Sequence, residues 1–578
     1  MSLQDGLRER VKRWLTDDPD PVCRTELTDL LARADDAALQ ERFSGTLLFG
    51  TAGLRGELGA GPNRMNRAVV ARATAGLCAH LIRSDKTAQQ RGICIGFDAR
   101  HMSREFCEET AAVAAGAGFK VHVFESSVPT PVLAFAVLAC KAAGGVMVTA
   151  SHNPARDNGY KVYWENGAQI IPPHDLAIAA DMQAVPSVLA LPRVGRSERR
   201  ERGIELVLGA DMERRYLAGV SALTLGVCED AGALRIVYTA MHGVGDRLAR
   251  AALLQAGFAN VWSVAEQAAP DPDFPTVAFP NPEEPGAMDR ALALGEQMNA
   301  DLVIANDPDA DRLALGARDH DGKLRMLTGN QVGLLLGEHL LASDPGTGER
   351  AVLTSIVSSP MIASIARAHG ALWEPTLTGF KWICCRALEL QAERGVRFVF
   401  GFEEALGYCP GTLVRDKDGI SSAVVAARLA AESKRDGFTL WQRLDALYRQ
   451  HGVYLSGQIS IRLQGESGLQ RREALMANAR AQPPSALAGH RVTATLDLLD
   501  ATTRGTPSFE LRLPKSDVLC FELEGGHRVM IRPSGTEPKL KIYLDVREAV
   551  HADEPTAAAQ RRAQATLDAL ATELRERF

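Results

Sequence analysis

The segment GVMVTASHNPARDNGYK, residues 145–161, joins a short apolar run to a turn that is rich in polar groups. The run GVMV predicts a buried strand, and ligand sites in open α/β sheets form just beyond the carboxyl ends of such strands. Ser151 therefore lies where a nucleophile would be useful, beside the imidazole and amine groups of His152 and Lys161. A well-capped turn, in which Ser151 satisfies backbone groups, is the alternative that composition leaves open.

The same alternation of apolar runs and helical patterns extends outward from this segment. Between residues 91 and 171, the runs ICIGFD, KVHVFE and GVMVTA alternate with helical patterns, which is typical of βαβ units on a parallel sheet. The alternation recurs over residues 235–307 and 351–405. After about residue 453, short alternating runs such as YLSGQISIRL predict a smaller, mostly antiparallel domain.

We therefore predict an α/β protein with three consecutive α/β domains, built on mixed sheets, and a smaller C-terminal α+β domain. A chain of 578 residues is too long for one hydrophobic core, and about 150 residues per domain gives about four domains. The predicted boundaries divide the chain into residues 1–205, 206–317, 318–452 and 453–578.

Composition and charge disfavour several classes of partner. The net charge of −6 provides no basic field for a nucleic acid and no polybasic run for a membrane surface. The longest apolar stretch, Val132 to Cys140, is about half as long as a bilayer span requires. The ten cysteines are scattered without a CxxC pair, so we expect reduced thiols in a cytoplasmic protein.

The segment NDPDADR, residues 306–312, also follows an apolar run. Its alternating carboxylates, Asp307, Asp309 and Asp311, would project to one side of an extended loop. Mg²⁺ favours such hard oxygen ligands, completed by water or phosphate. An EF-hand is excluded because two arginines stand where that loop requires Gly and Glu. An aspartyl-phosphate nucleophile and a solvated acidic turn remain alternatives.

The segment RPSGTEP, residues 532–538, combines a guanidinium, two hydroxyls and a glycine. Arg532, Ser534, Gly535 and Thr536 could together wrap an oxyanion, because the guanidinium supplies charge while hydroxyl and N–H groups supply further hydrogen bonds. An ordinary turn with a surface arginine is the alternative.

The segment GFEEALGY, residues 401–408, carries the paired carboxylates Glu403 and Glu404 after another apolar run. Paired carboxylates without a basic neighbour suit a polyol better than a phosphate, although an acidic helix amino terminus is an alternative. The sequence contains no GxxxxGK[ST] phosphate loop, which disfavours nucleotide-driven kinase chemistry.

The order of the motifs FGTAGLRG, TASHNP, DPDADR, GFEEALGY, DKDG and RPSGTEP resembles that of the α-D-phosphohexomutase superfamily over residues 49–543. This resemblance implies four domains around a central cleft, each of which donates one motif. It also implies an enzyme that moves a phosphoryl group within a small-molecule sugar phosphate. Mg²⁺ is the implied metal, a phosphoserine is the implied donor, and a sugar 1,6-bisphosphate is the implied intermediate and activator.

The resemblance further implies roles for individual residues. Ser151 would be the phosphorylated nucleophile and would share Mg²⁺ with Asp307, Asp309 and Asp311. Proton transfer and charge stabilisation would involve His152, Lys161 and Arg55. Arg312 would bind substrate and help to neutralise the phosphoserine. Substrate contacts would come from the remaining motif residues, which are Thr378, Gly379, Lys381, Glu403, Glu404, Arg532, Ser534, Gly535 and Thr536.

The sugar loop departs from the pattern of the common glucose and mannose enzymes, because Ala405 stands where they carry a hydroxyl. With TLTGFKW and DKDGISSA, it is closer to the phosphopentomutase-like and glucose 1,6-bisphosphate synthase-like subgroup. By analogy we expect glucose or mannose phosphates as substrates, with those two activities as alternatives. A phosphatase and a non-catalytic phosphosugar-binding protein are further alternatives. We also expect Asp309→Ala to leave a folded protein, because the acidic loop would lie in a surface cleft.

Overall fold

The computed structural model describes residues 3–49, 53–344, 346–463, 468–507, 513–533 and 539–578. The chain divides into two units. The first unit consists of Met1–Ala317, Leu324–Met326 and Gly407–Arg435. The second unit consists of Arg318–Lys323, Leu327–Leu406 and Asp436–Phe578.

Three helices come before the first sheet, and they are α1 (Leu3–Asp17), α2 (Pro21–Ala32) and α3 (Asp36–Phe43). Helix α2 begins at Pro21, whose fixed φ suits a first helical position, and the Asp20 side chain caps it by accepting a hydrogen bond from the Val22 N–H at 2.9 Å. Val11, Leu27 and Leu39 are fully buried and form the core of this helical extension.

The first sheet has the strand order β1-β5-β4-β2-β3-β6. Its strands are β1 (Leu54–Glu57), β2 (Ile93–Phe97), β3 (Val121–Phe124), β4 (Gly144–Val148), β5 (Asp157–Trp164) and β6 (Glu205–Leu208). The helices of this part of the chain are α4 (Arg67–Ser84), α5 (Ala88–Arg91), α6 (Ser103–Gly116), α7 (Thr130–Ala139), α8 (His174–Gln183), α9 (Arg196–Glu201) and α10 (Ala210–Leu223).

Strands β2, β3 and β4 are parallel, whereas β5 runs antiparallel to β4. The TASHNP segment is therefore the turn of a β4–β5 hairpin, and the sheet is mixed. The prediction of a mixed sheet is confirmed, and the antiparallel strand is β5, which returns directly from β4 without a crossover helix.

The second sheet repeats this arrangement, with the strand order β11-β10-β9-β7-β8. Its elements are β7 (Ile236–Thr239), α11 (Asp246–Gln255), β8 (Val261–Ser263), α12 (Ala265–Ala268), α13 (Asp289–Gln297), β9 (Leu302–Ala305), β10 (Ala314–Arg318) and β11 (Leu324–Met326). Strand β9 is parallel to β7 and antiparallel to β10. The NDPDADR segment joins β9 to β10, so it occupies the same place in its sheet as TASHNP does in the first.

In the third α/β region, β12 pairs in parallel with both β13 and β14. Its elements are α14 (Gly329–Ser343), β12 (Arg350–Ser355), α15 (Met361–Ala368), β13 (Leu372–Thr376), α16 (Phe380–Arg394), β14 (Arg397–Glu403), β15 (Gly407–Pro410) and α17 (Gly419–Arg435). Helix α14 begins with a capping box between Thr328 and Gln331.

The C-terminal region is an antiparallel sheet in the order β16-β22-β21-β20-β18-β17, with β19 paired to β18. Its elements are α18 (Leu440–His451), β16 (Val453–Arg462), α19 (Gly468–Ala481), β17 (Ala486–Leu487), β18 (His490–Asp497), β19 (Thr502–Gly505), β20 (Leu519–Leu523), β21 (Arg528–Pro533), β22 (Lys539–Glu548) and α20 (Thr556–Arg577). The predicted fold class, three α/β regions followed by an α+β domain, is confirmed.

Two further features that the sequence analysis considered are membrane-spanning helices and the state of the cysteines. Within the described ranges, no helix combines the length and the apolar character that a membrane crossing needs. All ten cysteines are free thiols, and eight of them are buried.

Candidate active site

Ser151 follows β4 directly and adopts a left-handed backbone conformation with φ +53°. Its N–H donates a hydrogen bond to Thr149 Oγ1 at 2.9 Å, and only 2% of the residue is exposed. A non-glycine residue in this region of backbone space is held there by its surroundings, and such residues are concentrated at functional turns.

Arg100 holds the carbonyl groups of the same turn. Its guanidinium donates to Ser151 O at 2.7 Å, to Pro154 O at 2.7 Å, to Asp157 O at 3.1 Å and to Asn153 O. Four acceptors on one planar donor fix the path of the loop that carries the serine. Arg100 was not predicted from the sequence, although its position in GFDAR, directly after β2, was a signal.

The serine hydroxyl contacts the acidic loop of the second sheet. Ser151 Oγ donates to Asp307 Oδ2 at 2.7 Å, although the two residues are 156 positions apart in the chain. His152 Nδ1 lies 3.2 Å from the same oxygen. Asp307, Asp309 and Asp311 each offer a carboxylate oxygen, and these oxygens lie within 4.8 Å of one another.

All three carboxylates are fully buried. The expectation that the acidic loop lies in a surface cleft is therefore wrong, because the loop packs beneath β5 and the serine turn through charged partners. Lys161 Nζ donates to Asp309 Oδ2 at 2.7 Å and to Asp311 Oδ2 at 2.8 Å. Lys417 Nζ lies 3.2 Å from Asp311 Oδ2.

The buried charges shift the pKa values of Asp307 and Asp309 in opposite directions. Burial, reinforced by the negative charges of Asp309 and Asp311, raises the pKa of Asp307 well above its usual value. Burial opposes ionisation of Asp309 too, but Lys161 outweighs it and lowers the pKa of that carboxyl. Burial and the neighbouring Arg312 and Arg55 charges lower the pKa of His152 well below its usual value, which favours the neutral imidazole.

The donor set fits a divalent cation. Oδ1 of Asp309 and Oδ1 of Asp311 are buried and have no hydrogen-bond partner among the described residues. Buried carboxylate oxygens are costly to leave unsatisfied, and hard oxygen ligands are those that Mg²⁺ prefers. Asp307, Asp309 and Asp311 could therefore hold such an ion.

Two arginines from other loops border the triad. Arg312 Nε lies 3.8 Å from Asp307 Oδ2 and 3.8 Å from Asp311 Oδ1. Arg55, on β1, donates to Asn153 Oδ1 at 2.8 Å, which joins it to the serine turn. The structure thus assembles the predicted residues of the first unit, namely Ser151, His152, Lys161, Arg55, Asp307, Asp309, Asp311 and Arg312.

The structure adds residues that sequence reasoning did not assign. Thr130 fixes Asp309 twice, since its hydroxyl donates to Oδ2 at 2.6 Å and its N–H donates to the carbonyl at 2.9 Å. Asp416 Oδ2 accepts from Tyr163 and Gln169, both at 2.7 Å. The DKDG motif was the signal for Asp416 and Lys417, whereas nothing local marks Thr130.

In the second unit, two of the predicted substrate loops are adjacent. Glu403 Oε1 accepts a hydrogen bond from the Gly379 N–H at 2.7 Å. Glu404 Oε2 accepts from Ser355 and Ser358 at 3.2 and 3.4 Å. Thr378 Oγ1 beside them is buried and has no hydrogen-bond partner in the described part of the chain.

Other predicted substrate residues of this unit are less completely defined. Lys381 lies in the first turn of α16 and is 9% exposed. Arg532 lies near the end of β21, beside Tyr543 of β22. The remaining predicted phosphate-site residues, Ser534, Gly535 and Thr536, lie outside the described residues.

Four domain families match successive parts of the chain. They are the phosphoglucomutase/phosphomannomutase alpha/beta/alpha domain I over residues 46–188, domain II over 214–321, domain III over 328–451 and the C-terminal domain over 474–561. The chain therefore belongs to the phosphoglucomutase/phosphomannomutase family, and the resemblance seen in the sequence is confirmed. It is an enzyme of the isomerase class, a phosphomutase.

Relatives with different names match the chain over most of its length. A protein named probable phosphomannomutase from Haemophilus influenzae is 42% identical, over 84% of this chain and 93% of its own. A probable phosphoribomutase from Schizosaccharomyces pombe is 37% identical, over 94% of each chain. A phosphopentomutase from Mus musculus is 33% identical, over 94% of this chain and 91% of its own.

A solved structure has the same fold at low sequence identity. The open form of parafusin, a phosphoglucomutase from Paramecium, superimposes with a TM-score of 0.65 at 17% identity, covering 91% of this chain and 95% of that one. The likeness extends over nearly the whole of both chains, and at this identity it supports the fold alone.

Proposed function

We propose that this enzyme interconverts the 1-phosphate and 6-phosphate of a hexose, glucose or mannose, through a phosphoserine at Ser151. The observation that carries the proposal is the 2.7 Å hydrogen bond from Ser151 Oγ to Asp307, inside a buried cluster of three carboxylates and two lysines. Phosphoryl transfer needs an in-line nucleophile and positive charge to stabilise the phosphoryl oxygens. Ser151 is the candidate nucleophile, and a divalent cation on the carboxylates, with the bordering Arg312 and Arg55, would supply the positive charge.

The serine loop positions the phosphoryl donor. The left-handed turn and the Arg100 hydrogen bonds hold Ser151 Oγ toward the acidic loop. His152 lies within hydrogen-bond reach of that oxygen, and its lowered pKa keeps the imidazole neutral near pH 7. A neutral imidazole there would accept the proton of the sugar hydroxyl as the hydroxyl oxygen bonds to phosphorus and the bond from phosphorus to Ser151 Oγ breaks. The released Oγ would then take up that proton from His152, whose Nδ1 lies 3.2 Å away.

Asp307, Asp309 and Asp311 would hold Mg²⁺, whose positive charge, when the ion is bound, stabilises negative charge on the oxygens of the phosphoryl group during transfer. Arg312 and Arg55 add guanidinium groups at the border of the same cluster. Lys161 and Lys417 add ammonium groups, so this part of the site is suited to a phosphate dianion.

The second unit would supply substrate recognition. The hydrogen bond from Gly379 to Glu403 joins two loops. These loops offer acceptors and donors for sugar hydroxyls, which come from the Glu404 carboxylate, Thr378 and Lys381. Arg532, with Ser534, Gly535 and Thr536, would take the phosphate that is not being transferred. A bisphosphorylated sugar would turn between the two half-reactions, and it would also prime Ser151 as activator. We further propose a cytoplasmic enzyme, which ten free thiols support.

A pentose phosphate is the second candidate substrate. Ala405 replaces the hydroxyl of the common hexose loop, and relatives named phosphoribomutase and phosphopentomutase match 93–94% of this chain at 33–37% identity. A glucose 1,6-bisphosphate synthase from Homo sapiens is 33% identical over 93% of this chain, which makes bisphosphate synthesis the remaining alternative.

A substrate panel tests the proposal. Glucose, mannose, ribose and deoxyribose 1-phosphates are assayed side by side with Mg²⁺ and a trace of the matching bisphosphate, and both isomer formation and phosphate release are measured. We expect the largest kcat/KM for a hexose. A larger value for a pentose would favour the second candidate, and phosphate release without isomerisation would indicate a phosphatase. Unchanged turnover in Ser151→Ala would refute the phosphoserine.

A further inference from the structure

A cavity of about 830 Å³ lies in the first unit, between α1, the chain after α3 and the first turns of α4. None of the residues that line it belongs to the candidate active site described above. The lining residues of α1 come before residue 46, where the match to the first family domain begins. The cavity is therefore built partly by the helical extension α1–α3.

The cavity walls carry an excess of positive charge. Arg10, Arg13 and Arg72 line it, and Asp17 is the one acidic side chain among the described residues of the lining. Asp17 is fully engaged, because it accepts from Arg72 at 3.0 Å, from the Ser187 hydroxyl at 2.6 Å and from backbone N–H groups. Neither Arg10 nor Arg13 forms an ion pair with any residue that the structure describes.

A smaller cavity of about 180 Å³ adjoins the first and is mostly apolar. The two share Trp14, Thr46, Pro62 and Arg72 as lining residues. The Trp14 indole is held by its N–H, which donates to Asp18 at 2.8 Å, and the Arg72 guanidinium lies 5.9 Å from its ring centroid. A cationic chamber and an apolar chamber thus meet at one aromatic ring.

One lining residue of this paired cavity lies against β1, the strand that carries Arg55. Leu47 lines the apolar chamber, and a methyl group added at Gly56 of β1 would lie 3.1 Å from Leu47 Cδ2. Arg55, the neighbour of Gly56, donates to Asn153 in the serine turn. A bound molecule that displaces Leu47 would therefore change the packing against β1, the strand that carries Arg55.

We infer that the paired cavity binds a small organic phosphate with a planar apolar part, as in a nucleoside monophosphate, and that this ligand alters mutase activity from outside the active site. The guanidiniums of Arg10 and Arg13, which form no ion pair among the described residues, suit the phosphate, because charge-assisted hydrogen bonds from arginine are among the strongest available. Trp14 and the apolar chamber suit the planar part. This inference goes beyond the proposed function, since binding here does not depend on which sugar phosphate is isomerised.

Calorimetric titration of the full-length enzyme in Mg²⁺ with adenosine monophosphate tests the inference, with adenosine as the uncharged comparison. The test variant is Arg10→Gln/Arg13→Gln, and the control is Lys12→Gln/Arg33→Gln, which removes two exposed charges of the same extension that do not line the cavity. We expect wild type and control to bind the nucleotide equally, and the test variant to bind at least about tenfold more weakly. Adenosine should bind none of them measurably.

The same proteins are then assayed for mutase activity with and without the nucleotide. Without it, the rates of test and control variants should match wild type, because all four side chains lie outside the proposed catalytic machinery. With it, the rate should change in wild type and control only. Equal nucleotide affinity in both double variants, or no binding to wild type at millimolar concentration, would overturn the inference. Neither result depends on the identity of the sugar substrate.

Discussion

Lys161 and Asp309 form a fully buried ion pair, in which Nζ of the lysine lies 2.7 Å from Oδ2 of the aspartate. The lysine stands on β5, just beyond the serine turn, and the aspartate stands in the acidic loop after β9. The pair therefore joins two motifs that are distant in sequence, and it places an ammonium group on carboxylates that could otherwise hold Mg²⁺.

Removing this ammonium should make the protein depend on magnesium for stability. In Lys161→Met without metal, the carboxylates lose their main compensation, and we expect a loss of about 3–5 kcal/mol in unfolding free energy. Adding Mg²⁺ should then raise the melting temperature more than it does in wild type, because the ion binds only the folded state. Thermal unfolding in EDTA and in Mg²⁺ measures both. An equal Mg²⁺ effect in the variant and in wild type would contradict the prediction, and Lys12→Met, at an exposed site, is the control.

Asp309→Asn should reduce activity and also, moderately, stability. The side chain is buried and accepts from Lys161 and Thr130, so we expect a loss of about 1.5–3 kcal/mol without metal, and not the intact stability that a surface cleft would predict. The Mg²⁺-induced rise in melting temperature should shrink, and turnover should fall at least about a hundredfold. Asp211→Asn, at an exposed helix position, should change none of these three quantities. A full Mg²⁺ response in Asp309→Asn would contradict a ligand role.

The backbone of the serine turn can be tested separately from its hydroxyl. Both Ser151→Ala and Ser151→Gly should lose at least about a thousandfold in turnover and take up no label from a radioactive bisphosphate. The glycine variant should nevertheless be more stable than the alanine variant by about 1 kcal/mol, because φ is +53° and a side chain is unfavourable there. Chemical denaturation compares the two. Greater stability of the alanine variant would mean that the turn is not left-handed in solution.

Arg100→Lys should weaken catalysis without touching any reacting group. The guanidinium serves four carbonyl acceptors of the serine turn, and an ammonium group cannot reproduce that planar arrangement. We expect kcat to fall at least about tenfold, since small displacements of a nucleophile are costly. Arg104→Lys is the matched control, because Arg104 donates to Glu125 O on an exposed edge. Equal kcat values for the two variants would mean that Arg100 stabilises the turn without positioning Ser151 for catalysis.

The sequence predicted the placement of the motifs better than their mutual contacts. Apolar runs marked the strands before TASHNP and NDPDADR, because a buried central strand leaves a local signature. The hairpin that turns β4 into antiparallel β5 was not predicted, since strand direction depends on pairing across the sheet. The convergence of Ser151 on Asp307 rested on the resemblance, because 156 residues separate them and no local pattern encodes their contact.

Residues that act by holding a neighbour were the ones that sequence reasoning missed. Thr130 opens α7 and fixes Asp309 through backbone and hydroxyl, yet a threonine before an apolar helix reads as an ordinary helix start. The burial of Asp309 was also unexpected, because an acidic run in a loop usually indicates solvent exposure. Only the fold shows that two lysines from other segments compensate the negative charge of the buried aspartates.

The buried lysines bear on the order in which folding and metal binding would occur. Because the polypeptide carries its own counter-charges for the three aspartates, the chain can reach its native state before it meets any divalent ion. A divalent ion that binds the three aspartates would then replace the ammonium group of Lys161 on an already folded protein. On this basis, removal and return of the metal would not require the chain to unfold and refold.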